Sequence, residues 1–170
     1  MPTEFAINAL NYKTVAALLL IGVLPLLLVG LTIHFLGGGK GPQVAVFGVV
    51  GLAIAIALLG VWQLNSIRLT ADAQTLAVGG GAYRVSIPMA QVDRGAVRLR
   101  AGDKDHALGM RTNGIGMPGL ALGWFNAKNS KVFAAVTDPE KVVIIPTTAG
   151  YTILASPEDP AAFLEAIHAR

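Results

Sequence analysis

The chain has 170 residues, of which 54% are hydrophobic and only 14% charged, and its mean hydropathy is +0.61. A soluble domain carries about 25% charged residues, so this composition excludes an ordinary soluble protein and points to one small domain with a membrane attachment. The absence of cysteine excludes disulfides, thiolate metal sites and cysteine catalysis, and a dispersed net charge of +3 gives no basis for nucleic-acid binding.

Charge is unevenly placed. Residues 14–64 contain one formal charge, Lys40, whereas residues 66–170 hold eleven Lys/Arg against nine Asp/Glu. The stretch 14–36, "TVAALLLIGVLPLLLVGLTIHFL", has no Asp, Glu, Lys or Arg. As a helix it would reach ~34 Å, enough for a hydrocarbon core of about 30 Å. A second stretch, 43–64, has the same character. The linker "GGGKGP" at 37–42 is only a turn, so the two spans must form an antiparallel hairpin with both chain ends on one side. A cleaved signal peptide fits less well, because the first apolar run exceeds the usual 7–15 residues and no small-x-small site follows it.

Within the spans, Pro25 predicts a bend, since proline removes one backbone hydrogen bond. His34 lies within a turn of the loop and reads as an interfacial group. Gly51 and Ala55, and Ala53 and Ala57, are small pairs at a spacing that lets helices approach closely, for the hairpin itself or for a partner. Lys13, Arg68 and Arg84 flank the spans on one side and Lys40 on the other. The positive-inside rule then predicts an inner-membrane, multi-pass protein with both termini cytoplasmic. Tyr12 and Trp62 would form an aromatic belt at that face.

After Ile67 the periodicity changes. Tyr83, Val85 and Ile87 alternate with polar neighbours, and Val97 and Leu99 alternate with Arg98 and Arg100. That is the pattern of strands with one buried face. "GLALGWFNA", "SKVFAAVTD", "KVVIIPT" and "GYTILAS" are further strand candidates, separated by turns that include "GGG" at 79–81. The last segment predicts one amphipathic helix, with Ser156 as its cap, Pro157 in the first position, Asp159 in the third and Phe163, Leu164 and Ile167 as its apolar stripe. The domain organisation is therefore a transmembrane helical hairpin over 1–66 and a mainly-β domain over 67–170.

Gly114, Gly116 and Gly119 match G-x-G-x-x-G, with Asp138 and Glu140 about 20 residues on, as a dinucleotide site requires. Such a turn must leave a buried strand and open a helix. Here the flanks are polar and broken on one side, show no helical stripe on the other, and contain Pro118. The pattern predicts an irregular glycine loop and no cofactor. Asp103, Asp105 and His106 offer no convergent set of metal ligands and read as a solvated turn. Ser130–Lys131 lacks the spacing of a Ser–Lys pair, and no nucleophile–base arrangement stands out.

Residues 114–167 resemble the bacterial pleckstrin-homology-like domains. The resemblance is carried by Gly114, Gly119, Gly123, Phe125, Thr137, Asp138, Tyr151, Ser156, Pro157, Asp159, Pro160 and Phe163, and it covers about a third of the chain closely. It implies a seven-stranded, partly open antiparallel barrel capped by the final helix, often behind one or two membrane spans. It implies no enzymatic activity, and the matched residues look structural.

The leading expectation is a non-enzymatic membrane protein that presents this domain at the bilayer surface to a partner protein. An alternative is recognition of anionic lipid headgroups by Arg98 and Arg100, on one face of a strand, with Arg84 and Arg94 nearby; each basic residue at an anionic surface is worth about 1 kcal/mol. A third reading, a membrane enzyme using the 101–116 loop, lacks a nucleophile.

Overall fold

The computed structural model describes residues 3–37, 41–100, 107–128 and 130–169. Two helices long and apolar enough to cross a membrane, Tyr12–Leu36 and Gln43–Asn65, pack as a hairpin consistent with a membrane anchor. The first is composite: α1 (Tyr12–Ala17), a π-helical segment (Leu18–Val23) and α2 (Leu24–Leu36). Pro25 stands at the start of α2. Its ring would clash with a carbonyl one α-turn back and it donates no hydrogen bond, and the wider π turn before it relieves both problems. At the position where the sequence predicts a bend, the helix carries this π segment.

α3 (Gly41–Asn65) is a single helix. Ala53 faces α2 and is buried, whereas Gly51 and Ala55 point outward. Contact between the helices uses glycine instead: Gly60 receives Leu18, Gly22 meets Ile56 and Gly30 meets Val49. Small residues at such crossings let the backbones close up.

Only Ser66 and Ile67 separate α3 from the β-domain. Its first sheet has the order β1 (Thr3–Ala6), β2 (Arg68–Ala71), β3 (Thr75–Gly80) and β4 (Tyr83–Pro88), all antiparallel. The second joins β5 (Arg98–Leu99), β9 (Val143–Pro146), β10 (Tyr151–Ala155), β8 (Lys131–Val136), β7 (Leu120–Asn126) and β6 (Arg111–Met117), in that order. The helix α4 (Pro160–His168) closes the main core, burying Phe163 and Ile167 among Leu69, Leu76, Phe133 and Ile153. A second apolar layer on the same sheet, including Phe125, Val132, Ile144 and Leu154, is packed by Leu108 and Ala127.

The expected class, an apolar hairpin followed by a mostly-β domain with open sheets and one C-terminal helix, is the class observed. Several local expectations change. The pairing is not wholly antiparallel, because β10 runs parallel to β8. The strand expected around Val97 shrinks to Arg98–Leu99, preceded by a 3-10 turn at Arg94–Ala96. Gly114 and Gly116 lie in strand β6, not in a loop, while Gly119 sits in the β6–β7 turn. Gly114 and Gly123 face each other across β6 and β7 with φ of +147° and +115°, and a Cβ on either would run into the opposite backbone. Two of the 79–81 glycines belong to β3, where a Cβ on Gly80 would overlap the Ser66 carbonyl.

The N-terminus is the largest difference. Residues before the first helix, grouped by sequence with the hairpin, belong to the β-domain: β1 pairs with β2, Ile7 and Ala9 enter the core, and Phe5 packs edge-on against Phe163 at 5.2 Å. From β1 the chain therefore leaves the β-domain, runs through the hairpin and returns. The helix cap also moves. Asp159 accepts from Ala162 N–H at 3.0 Å and Pro160 takes the first position. Ser156 is buried instead, its Oγ accepting from the N–H groups of Thr137 and Asp138.

Candidate functional site

Strand register places the hairpin at one end of both sheets. In the first sheet, the carboxamide of Gln63, near the end of α3, donates to Gly80 O at 2.8 Å and accepts from Ala82 N–H at 3.0 Å, gripping the β3–β4 turn. In the second, the β6–β7 turn meets the start of α1: Asn11 donates to Gly119 O at 3.1 Å and caps α1 by accepting from Thr14 N–H. Gly119, at φ +83°, has no room for a side chain beside Asn11 and Thr14.

A cavity of about 660 Å³ opens at this seam, between the segment Asn8–Lys13, the turn Thr137–Lys141 and the link Ser156–Glu158. Its charges are mixed: Lys13 and Lys141 against Asp138, Glu140 and Glu158. Lys141 donates to Glu158 O at 3.2 Å. Ser156 Oγ shares a hydrogen bond with Thr137 Oγ1 at 3.1 Å and already serves two backbone donors, so it is a structural group, not an activated nucleophile.

A second concavity, about 460 Å³, lies at the opposite end of the sheet, between Thr112, Asn113, Trp124, Lys131 and Tyr151. Trp124 and Tyr151 meet edge to face at 5.0 Å. Partial burial pushes the Tyr151 phenol above its usual pKa, because the charged form loses hydration.

The four arginines singled out by sequence are divided. Arg94, Arg98 and Arg100 follow one edge, at and beside β5. Arg100 N–H donates to Val142 O at 2.8 Å, which puts this residue at the hairpin end of the sheet. Arg84 lies on β4, in the other sheet, opposite Gly79 and near the Gln63 contact. His34 is exposed in the last turn of α2, beside Phe35. Asp103, Asp105 and His106 lie outside the described residues. Among the described residues, no group of three or more His, Asp or Glu converges as a metal site.

The Gly114–Gly119 motif forms an antiparallel hairpin from β6 to β7. A dinucleotide turn would need a helix N-terminus there to meet the phosphates, and a strand occupies that position. Sequence reading missed Asn11 and Gln63. Each is a polar residue at a helix end, with no local pattern to distinguish it from a solvated one.

A small two-sheet β-domain closed by a C-terminal helix, mounted on a pair of apolar helices, defines the class. The family model of the bacterial PH domain matches residues 67–170. The chain belongs to that family. No curated protein and no solved structure matches it.

Proposed function

We propose that the protein is a non-enzymatic, membrane-anchored module whose β-domain is held at the inner face of the cell membrane and binds a partner protein. The observation that carries this reading is the double seam between hairpin and domain. β1 and the Asn11–Gly119 contact tie the domain to the first helix, and Gln63 ties it to the second. A domain fixed to both helices keeps one orientation, and preorganisation lowers the entropy lost on association. The Trp124–Tyr151–Lys131 concavity then points away from the bilayer. Aromatic residues are the side chains most enriched at interface cores. The hydrogen bonding of Ser156, the best-buried hydroxyl at the larger cavity, supports a non-catalytic role.

Photo-crosslinking residues at Lys131 and at Ala149, in intact cells, test the reading. A discrete adduct from both positions, lost on Trp124→Ala while the protein stays folded, is expected. No adduct from either would remove the partner-binding role. Orientation is checked separately in this cysteine-free chain: Gly39→Cys should react with an impermeant maleimide from outside, and Ser130→Cys only after lysis. The reverse pattern would put the domain outside the cell.

A second reading, anionic-lipid recognition, is favoured by the placement of Arg100 at the hairpin end of the sheet edge that also carries Arg94 and Arg98. Native mass spectrometry of retained lipid should then show less anionic lipid on Arg98→Gln/Arg100→Gln; equal retention would leave those arginines as a solvated strand face.

A further inference from the structure

Where the hairpin meets β6, a groove of about 300 Å³ is lined by Leu18, Leu59, Gly60, Leu64, Ile115 and Met117. Its walls are almost wholly apolar. The one polar side chain beside it, Gln63, turns its carboxamide to the β3–β4 turn. Ile115 and Met117 are two residues apart, so they share a face of β6, and that face is turned to the helices. β6 is the outermost strand of its sheet and pairs, among the described residues, with β7 alone.

The groove runs directly into surface that belongs to the anchor. Leu58, Leu59 and Trp62 on α3 are 66, 64 and 60% exposed, and Leu19 and Leu20 on the first helix are 50 and 61% exposed. In a bilayer these side chains are covered by acyl chains, because no other apolar solvent is present there. A groove continuous with them is filled by the same material. Trp62 also marks the depth, since tryptophan settles at the headgroup boundary. A cation stands at the strand as well: the Arg111 guanidinium lies beside Gly116, between the two lining residues, on the exposed side of β6. There it would meet a lipid phosphate, while its stem covers the strand.

We propose that β6 is a membrane-contacting element, with a phospholipid of the adjoining leaflet bound by its acyl chain against Ile115 and Met117. The β-domain would therefore be partly immersed in the leaflet and not merely tethered to it. This rests on the hairpin lying in the bilayer but not on any partner protein.

Single cysteines at Met117, Ile115, Leu59 and Ala149, each carrying an environment-sensitive fluorophore, are placed in full-length protein in liposomes with lipids spin-labelled high on the acyl chain. The labels at Met117 and Ile115 are expected to be quenched as strongly as that at Leu59, with Ala149 unaffected. If Leu59 is quenched and the two β6 positions behave like Ala149, the inference is overturned while the anchor stands. If Leu59 is also unquenched, the anchor reading falls with it. Quenching at all four positions would overturn the specific placement of β6. Two β6 positions are used because either substitution alone could disturb the strand.

Discussion

The hairpin and the β-domain use the same apolar side chains in opposite ways. Ile21, Leu58 and Phe47 of the hairpin are 68, 66 and 76% exposed, whereas Phe133, Ile144 and Leu154 of the β-domain are at most 1% exposed. The β-domain obtains its stability from removing apolar surface from water, at roughly 25 cal/mol per Å². The hairpin leaves that surface out, which is stable only where the surroundings are themselves apolar. The contrast shows why the two regions were separable by sequence: one is uniformly apolar, the other alternates. The seam between them obeys neither rule. It joins an apolar contact, Leu18 and Leu64 beside Ile115 and Met117, to two polar residues, Asn11 and Gln63, which satisfy backbone groups that neither region covers alone.

The sharpest way to separate the regions is to damage one core. Phe163 is fully buried and packs against Phe5. Phe163→Ala should destabilise the β-domain by about 3–5 kcal/mol, read as a lower denaturation midpoint by near-UV circular dichroism, with hairpin helicity unchanged. Equal loss of helicity would mean that the two regions unfold together and that the comparison is false.

A cut at the seam should have a smaller effect. Gln63→Ala leaves Gly80 O and Ala82 N–H without their partner, at about 1–3 kcal/mol. Hydrogen exchange should accelerate at the β3–β4 turn and spare β8 and β10. Unchanged exchange at the turn would show that Gln63 does not couple the regions.

At the edge of the domain, the Glu4–Arg68 ion pair is short, 2.7 Å, but its side chains are 58 and 42% exposed. Solvent screens such pairs, so Arg68→Gln should cost less than about 1 kcal/mol. A larger loss would mean that β1 depends on this pair and not on Phe5, Ile7 and Ala9.

The smallest effect is expected at high pH. Burial raises the Tyr151 phenol above its unfolded value of about 10. The folded state therefore holds this proton more tightly. Its contribution is complete below the unfolded pKa and is lost as pH rises through the folded one. Tyr151→Phe should flatten the alkaline part of the stability–pH curve and leave neutral stability nearly unchanged. An unaltered alkaline slope would show that the phenol is as hydrated folded as unfolded.

Much of the architecture was legible because its signals are local and repeated. Two charge-free stretches define the helices whatever surrounds them, and alternation at Tyr83–Ile87 needs only near neighbours. Glycines alone did not reveal β6, since Gly114 and Gly123 make sense only as a facing pair. The arginines were readable as a group by type, but not as two sets on different sheets.

By itself the sequence determined the two apolar helices, the change to β periodicity after Ile67, and a C-terminal helix carrying Phe163 and Ile167. Those follow from transfer of side chains out of water and from the periods of helix and strand, which are properties of short segments. Only the tertiary structure decided that Thr3–Ala6 is a strand of the β-domain, that β10 runs parallel to β8, and that Asp159 caps the final helix. Ser156–Pro157 and Asp159–Pro160 carry the same local capping signal. The choice between them was made at a distance, because the end of β8 presents two N–H groups that Ser156 alone is placed to satisfy.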